Sequence, residues 1–225
     1  MTSTNDVTST NDVTSPDGAV TAVRVDAWAD IVCPYCYIGE ARLVAAANAI
    51  DAPVVIIPRA FQLDPNRTTS EPVQEYLGRK FNAGADQLHQ QHEQLAAMAE
   101  AEGLPFVENR IVANTADAHR LVAAADDLGL AVRHAIQVGH FSGELDLASH
   151  EDLADAAAQA GMDRDAALAI LASDDFAEDV QAEHQQAGEL GATGVPFTVI
   201  GERFAIPGAA ATEQYSDILT QAAQG

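Results

Sequence analysis

The chain has 225 residues, 48% of them hydrophobic, which is enough for one sizeable core or for a core with an inserted subdomain. Its formal net charge is −23, with 34 acidic residues against 11 basic ones, and Lys80 is the only lysine. Such a surface repels nucleic acid and anionic membranes, so we expect neither as a partner. The acidity fits a high-salt habitat and ordinary acidic solubility equally well.

The N-terminal segment has no features of a folded domain. The sequence of Thr2–Val7 recurs at once in Thr8–Val13, and this short polar repeat predicts a disordered tail over residues 1–19. We see no basic region followed by an apolar stretch, which a secretory signal needs, and no apolar span long enough for a membrane helix. We therefore expect a cytoplasmic protein.

The first folded part of the sequence reads as strand, helix, strand. Apolar residues alternate in the segment from Val20 to Trp28, which predicts a strand. Helical spacing follows from Pro34 onwards. The apolar run from Pro53 to Pro58 is bounded by prolines and is typical of a buried strand. A pair of cysteines lies at the first strand-to-helix junction.

The middle of the chain is predicted to be helical, and the end reads as strand, strand, helix. A β-hairpin is expected from Pro196–Ile200 and Arg203–Ile206, around a turn at Gly201 and Glu202. Five helices are predicted before the hairpin. The first runs from Gln87 to Glu102, and the others begin at caps: Asn114 to Leu128 with Gly129 as the stop, Ser149 to Gly161, Asp163 to Leu171, and Ser173 onwards with Phe176, Val180, Ala187 and Leu190 along one side. A last helix follows the hairpin, from a Thr212 cap towards the C-terminus.

This order of elements is typical of an α/β protein with a thioredoxin-like fold. A helical insertion separates its β-α-β half from its β-β-α half. We assign residues 20–70 and 176–225 to the thioredoxin-like domain and residues 71–175 to the helical insertion.

Cys33-Pro34-Tyr35-Cys36 is the motif that carries chemistry. The N-terminus of a helix has unpaired N–H groups and the positive end of the helix dipole, and both favour an anion. We therefore expect Cys33 to be the attacking thiolate and Cys36, one turn on, to resolve the mixed disulfide. Pro34 suits the first turn, and Tyr35 occupies the variable position that tunes the thiolate.

The cysteine pair has two other interpretations. Zinc normally takes four ligands, and no second cysteine pair or suitably spaced histidine pair completes such a site, so no metal is expected. The two cysteines could also lie in a core by chance. A C-x-x-C pair at a β-α junction favours redox chemistry over both.

Pro196 marks the start of the third strand. A proline cannot donate to a strand ladder, which indicates a special backbone role. Beside the cysteine pair and the β-β-α pattern we predict a cis Val195–Pro196 bond, with the Val195 backbone available to a substrate. The alternative is a trans proline at an ordinary strand start.

Several segments together resemble the DsbA family, and most closely its cytosolic FrnE-like branch, over nearly all of the chain after about residue 20. The matching stretches are Asp30 to Gly39, Phe61-Gln62-Leu63-Asp64-Pro65, Asn114-Thr115 with Ala118-His119-Arg120-Leu121, Gly194-Val195-Pro196-Phe197 and Pro207-Gly208-Ala209.

The resemblance implies roles for individual residues. Cys33 would be the nucleophile, Cys36 the resolving thiol and Pro196 the cis-proline beside them. The insertion would shape a substrate groove, with Phe61, Asn114 and His119 near it. Core packing for Phe61, helix capping for Asn114 and a polar helix face for His119 remain open as alternatives.

The chain also departs from its relatives. Ala210 stands where they often carry Gln, and a second cysteine pair near the C-terminus, which some FrnE-like proteins have, is missing. The same branch is similar to 2-hydroxychromene-2-carboxylate isomerases and kappa-class glutathione transferases. These typically have Ser in place of the first cysteine, so Cys33 argues against that activity.

The leading hypothesis is a thiol-disulfide oxidoreductase acting on protein or small-molecule disulfides. It needs no cofactor, although glutathione is a possible redox partner. A glutathione-dependent isomerase or transferase is the first alternative, and a non-enzymatic ligand-binding module is the second. The resemblance is compatible with a monomer or a homodimer.

Overall fold

The computed structural model describes residues 22–225, so the predicted tail over residues 1–19 lies outside it. Within these residues a four-stranded sheet in the order β2-β1-β5-β6 is surrounded by helices, and β3 and β4 form a separate two-stranded sheet. The strands are β1 (Val23–Ala29), β2 (Val54–Ala60), β3 (Glu71–Pro72), β4 (Ile111–Val112), β5 (Phe197–Ile200) and β6 (Phe204–Pro207). The helices are α1 (Pro34–Ala49), α2 (Val73–Phe81), α3 (Ala85–Ala101), α4 (Ala116–Ala124), α5 (Gly129–Ser142), α6 (His150–Gln159), α7 (Arg164–Leu171), α8 (Ala177–Glu189) and α9 (Thr212–Ala223).

The strand pairing gives the sheet a thioredoxin-like topology, as the sequence predicts. β1 runs parallel to β2, with Val25 opposite Ile56. It runs antiparallel to β5, where Val25 faces Ile200. β5 and β6 form the predicted antiparallel hairpin. The helices α2–α7 enter the chain between β2 and α8, so the fold is thioredoxin-like with helices inserted at that point.

The sheet is covered on both faces. Apolar side chains of β1 and β5 pack with α1 and α9 in a core that includes Val25, Leu43, Ile200, Tyr215 and Leu219, all buried. Helix α8 lies over β1 and β2, where the indole N–H of Trp28 donates to the carbonyl of Glu183 at 2.9 Å. β1 is thereby fixed from both sides, and β1 leads directly to the cysteine pair.

The inserted helices α4–α7 have a core of their own, and a buried charge joins this core to the sheet. Leu121, Ile136 and Leu153 are fully buried in it, and Ile31 from the β1–α1 loop joins them. Arg133 of α5, 1% exposed, pairs with Glu40 of α1 and donates to the carbonyl of Ala27 at 2.9 Å. Removing either partner of this buried ion pair would leave an uncompensated charge in the interior, so the pair is an energetic link between the two parts.

The prediction of one helix from Asn114 to Leu128 is wrong. Helix α4 ends at Ala124, and Gly129, predicted as a stop, begins α5 in a right-handed helical conformation. A Cβ atom at this glycine would lie 2.9 Å from the carbonyl oxygen of Val122. Glycine is therefore needed here for the close approach of two helices and not for a helix end.

The structure confirms some of the predicted helix caps and contradicts others. Ser149 and Asp163 cap α6 and α7 as predicted. Ser173 does not cap α8; its Oγ accepts from the N–H of Asp175, and the residue preceding the helix is Phe176, with φ of 63°. Thr212 lies inside α9, which has no side-chain cap.

Exposure also corrects the prediction in places. β2 is an edge strand of the sheet and is only partly buried, with Val55 51% exposed, where a buried strand was expected. Four apolar residues of the predicted helix after Ser173 have the spacing of one side, but only Val180 and Ala187 are buried, whereas Phe176 and Leu190 are exposed. Within residues 22–225, no helix combines the length and apolarity needed to cross a membrane.

We expect His140 to make the fold sensitive to acid. Burial is the main cause that lowers its pKa to about 3, and the nearby charge of Arg110 adds to the effect. Between pH 6.5 and 3 the unfolded chain therefore binds a proton that the folded chain does not, so stability falls as the pH falls through this window. His140→Leu should reduce the loss of unfolding free energy between pH 7 and pH 4.5 by about 2 kcal/mol, measured by urea denaturation at both values.

The control is His89, which is exposed and whose pKa is raised by the hydrogen bond to Glu108. A raised pKa stabilises the fold at low pH, so His89→Gln should leave the acid-induced loss at least as large as in the unmodified chain. Equal acid losses in His140→Leu and the unmodified chain would contradict the assignment.

Candidate active site

Cys33 lies at the N-terminus of α1. It is the N-cap residue, and its Sγ accepts from the backbone N–H of Cys36 at 3.4 Å. Pro34 is the first residue of the helix, where its missing N–H costs no hydrogen bond. The helix dipole and this N–H both favour a negative charge on the Cys33 sulfur.

Cys36 occupies a different environment one turn further on. It is 1% exposed, and both cysteines are free thiols. Burial raises its pKa well above the usual value, and the hydrogen bond and charge of Cys33 raise it further. Cys36 is therefore held as a neutral thiol, and the two cysteines are chemically unequal.

Val195 and Pro196 lie against the cysteine pair. The peptide bond between them is cis, as the sequence analysis expects. The Cys33 thiol points at the carbonyl oxygen of Val195, with Sγ and O 3.8 Å apart, and Val195 packs against both cysteines.

A close approach of α1 holds this arrangement together. A Cβ atom at Gly39 would lie 3.2 Å from Cβ of Ala209 and 3.5 Å from Cγ of Pro196. The loop itself is fixed by the N–H of Gly208, which donates to the carbonyl of Pro196 at 2.7 Å. Glycine at position 39 thus allows the catalytic helix to reach the Val195–Pro196 loop.

A buried acid lies next to the pair and was not identified as a site residue from the sequence. Asp30 is 1% exposed, and its Oδ2 accepts from the N–H of Leu63 at 2.7 Å. It acts on Cys36 in two ways, since a hydrogen bond from its backbone lowers the pKa of Cys36 and its charge raises it. His119 lies behind it, with Nε2 and Oδ1 3.4 Å apart and both residues almost fully buried. The signal in the sequence was an acidic residue three positions before Cys33, in the loop between the first strand and the catalytic helix.

A cavity of about 260 Å³ opens in front of Cys33. Of the predicted site residues, Cys33, Pro34, Tyr35 and Val195 line it. Its opposite wall comes from α2, α3 and the segment before β4, through residues that include Val73, Tyr76, Leu77, Lys80, Phe81, Leu88, His92, Phe106 and Arg110. The resemblance implied a groove shaped by the inserted helices, and α3 was predicted, but α2 was not, although Val73, Leu77 and Phe81 have the spacing of one helix face.

The remaining predicted groove residues do not line this cavity. Phe61 packs on His184, with ring centroids 4.4 Å apart, and belongs to the apolar cluster around Trp28. Asn114 accepts from the N–H of Ala116 at 2.8 Å, at the start of α4, and donates to the carbonyl of Arg67 at 2.9 Å. His119 reaches the site only through Asp30. These contacts are those of the packing alternative for Phe61 and of the capping alternative for Asn114. His119 is a buried polar residue of α4, and its role in the site stays a prediction.

The metal alternative gains no support from the described part of the chain, where no three His, Cys, Asp or Glu side chains lie close enough to hold an ion.

Comparisons with known proteins agree with this geometry. Residues 24–220 match the family described as DSBA-like thioredoxin domain. The crystal structure of a probable DsbA oxidoreductase from Streptomyces coelicolor is 35% identical, with a TM-score of 0.84 and 89% of each chain covered. Among curated protein sequences, none matches the chain significantly.

Two more distant structures share the fold. The cytosolic disulfide reductase DsbM from Pseudomonas aeruginosa, solved with GSH, is 20% identical, with a TM-score of 0.59 and coverage of 89% of this chain and 96% of that one. A 2-hydroxychromene-2-carboxylate isomerase is 19% identical, with a TM-score of 0.63 and coverage of 89% and 95%. The match of almost the whole folded chain, together with the 35% identical structure, shows that the chain belongs to the DsbA-like thioredoxin-domain family of disulfide oxidoreductases.

Proposed function

We propose that the chain catalyses thiol-disulfide exchange at Cys33 and Cys36, on protein or small-molecule disulfides. The observation that carries this proposal is the inequality of the two thiols. Cys33 lies at a helix N-terminus and lines a cavity, whereas Cys36 is enclosed behind it as a neutral thiol. A nucleophile needs access and charge stabilisation, and a resolving thiol needs only to reach the first sulfur.

The reaction proceeds in two steps. The Cys33 thiolate attacks one sulfur of the substrate; the substrate disulfide breaks, and its electron pair leaves with the first thiolate product. Cys36 then gives up its proton and attacks the Cys33 sulfur, which breaks the mixed disulfide and releases the second thiolate. The substrate gains two electrons and the protein pair becomes a disulfide. The reverse sequence oxidises a dithiol.

Asp30 is the proposed acceptor of the Cys36 proton. It is a buried carboxylate whose charge acts on Cys36, and it is held by the N–H of Leu63. In the resting protein its negative charge opposes ionisation of Cys36; in the second step the same proximity offers a base.

The first prediction separates the roles of the two cysteines. Cys33→Ser should abolish disulfide exchange, because the thiol that lines the cavity is lost. Cys36→Ser should still complete the first step and then accumulate a mixed disulfide with the substrate, detected by mass spectrometry under non-reducing conditions. Full exchange activity in Cys33→Ser would refute the assignment of the nucleophile.

The second prediction concerns Asp30. Asp30→Asn keeps an oxygen that can accept from Leu63 but cannot take a proton at neutral pH. It should slow the second step by about tenfold or more, in keeping with the loss of a general base, and leave the first step faster than the second. Rapid acid quenching followed by mass spectrometry measures both steps. In the variant, the rate of the second step should also rise with pH.

A purely structural role for Asp30 would give a different result. In that case Asp30→Asn would lower the melting temperature and slow both steps in proportion, without a new pH dependence of the second step.

The third prediction is a reversible two-electron couple. Titration against glutathione buffers, with trapping of free thiols at each point, should place the Cys33–Cys36 couple between about −120 and −270 mV. A value near the low end favours reduction of disulfides, which is the direction that we propose, in a cytoplasm that is itself kept reducing. A value near the high end would favour oxidation or shuffling.

The same titration tests the glutathione-dependent isomerase as the alternative. It is motivated by the shared fold and by the apolar cavity beside Cys33. Such an enzyme would bind glutathione without oxidising the pair and would work on a non-disulfide substrate after Cys36→Ser. If no disulfide forms anywhere in the range, the dithiol mechanism is wrong and this alternative replaces it.

A further inference from the structure

Arg110 differs from most other basic residues of the chain. The chain has 11 basic residues, and within residues 22–225 all but Arg110, Arg203 and Lys80 lie within ion-pair distance of a carboxylate. In a protein with 34 acidic residues an unpaired cation is uncommon. Two of these three, Arg110 and Lys80, line the cavity in front of Cys33.

Arg110 is also buried. It is 7% exposed, and its guanidinium lies over the rings of Phe106 and Phe141, with Cζ 4.4 Å and 5.0 Å from their centroids. One Nη donates to the carbonyl of Val107, whereas the Nε has no acceptor. Burying a cation without a carboxylate is costly. Burial accordingly lowers its pKa to about 10, which leaves it charged at neutral pH.

The carboxylates around the cavity are already engaged. Glu108, two residues from Arg110, contacts Gln74 and His89 at 3.2 Å. Asp64 pairs with Arg67, which also pairs with Glu71. Asp30 accepts from Leu63 and faces His119. No acidic side chain in residues 22–225 is within ion-pair distance of Arg110, so the guanidinium is available to an anion that enters the cavity.

The buried arginines of the inserted helices show the contrast. Arg133 pairs with Glu40 and donates to two backbone carbonyls. Arg120 pairs with Asp117 and donates to the carbonyls of Ile170, Ser173 and Asp175. The Nε of Arg133 lacks an acceptor, as does that of Arg110, but Arg133 and Arg120 each have a carboxylate and two or more carbonyl partners. Arg110 has a single carbonyl acceptor and no carboxylate within the described residues.

The rest of the cavity wall is apolar and aromatic. Tyr35, Leu63 and Phe81 are each 40% exposed or more, an unusual exposure for large apolar side chains grouped at one opening. Lys80 lies at this opening, where its Nζ donates to the hydroxyl of Tyr76 at 2.7 Å. The site thus offers aromatic surface, one buried cation and one exposed cation.

We propose that this cavity selects small disulfides with an aromatic or aliphatic body and a carboxylate, the body packing on the aromatic wall and the carboxylate pairing with Arg110. The proposal rests on the exchange reaction at Cys33 and adds the class of substrate. Arginine matches a carboxylate in a planar, two-bond geometry, and aromatic walls favour flat apolar ligands. Lys80 contributes attraction at the entrance.

The kinetic test uses two aromatic disulfides, 5,5′-dithiobis(2-nitrobenzoic acid) and the uncharged 4,4′-dithiodipyridine. For each disulfide, the rate constant of its reaction with the reduced protein is measured at 0.15 M salt. It is then divided by the rate constant of the reaction of the same disulfide with dithiothreitol, because this ratio removes differences in the intrinsic reactivity of the two disulfides. Arg110→Met should lower this ratio for the dicarboxylate about tenfold or more beyond any loss for the dipyridine, in keeping with the loss of a charge-assisted hydrogen bond. Arg110→Lys should retain part of the preference.

Arg203→Gln is the matched control, because Arg203 also lacks an ion pair within the described residues but does not line the cavity. It should change both ratios by less than about twofold. If Arg110→Met lowers both ratios equally, or neither, the proposed selectivity is wrong. If the unmodified protein reacts with neither disulfide beyond dithiothreitol, the exchange reaction itself fails.

A second test needs neither disulfide chemistry nor a variant of Arg110. In the Cys33→Ser protein, naphthalene-2-carboxylate should bind about tenfold or more tightly than naphthalene-2-carboxamide, measured by isothermal titration calorimetry or by shifts of cavity resonances in NMR. Equal affinities would overturn the proposal, even if the redox titration succeeds. A clear preference would support the site even if the exchange reaction failed.

Discussion

The meeting of the α1 N-terminus with the Val195–Pro196 loop is the constraint on which the rest of the structure depends. Cys33 and Val195 are 162 residues apart in the chain, yet Sγ and the carbonyl oxygen are separated by 3.8 Å. The sheet order makes this possible, because β1 and β5 are neighbours, β1 ends shortly before Cys33, and the Val195–Pro196 loop leads directly into β5. Without the second half of the fold, the cysteine pair would still lie at a helix N-terminus, but the Val195–Pro196 loop would not lie beside it.

The inserted helices contribute a wall and a rigid attachment. The wall, from α2 and α3, turns an exposed helix end into a cavity with apolar and cationic sides. The attachment is Arg133, which reaches from α5 to Glu40 on the catalytic helix and to the carbonyl of Ala27 on β1. The part of the chain that shapes the cavity is thereby tied to the part that carries the chemistry.

The sequence predicted what depends on local pattern. The cysteine pair, the proline at position 196 and the alternation of strand and helix can all be read from neighbouring residues, and they lead to the correct fold and family. The sequence pattern did not predict that the segment after Asn114 contains the end of α4 and the beginning of α5 in place of one continuous helix. The role of Gly129 depends on how near α5 comes to Val122, a tertiary distance.

The same limit applies to the site. The roles of Asp30 and Arg110 depend on their burial and on the partners that they have or lack. Neither property can be predicted from the neighbouring residues in the sequence. His119 is a further case. The resemblance implied a position near the groove, and the side chain lies behind Asp30, which lines the cavity, without lining it itself.

The unpaired cation beneath an acidic surface has a consequence for the approach of ligands. At long range the net charge of −23 repels an anion, and at contact the guanidinium of Arg110 attracts it. Salt screens the first interaction strongly and the second weakly, since exposed charges are screened over a Debye length of about 8 Å in physiological salt and buried ones much less. A rise in ionic strength therefore increases the rate at which anionic molecules reach this acidic protein, while the attraction to Arg110 at contact is largely kept.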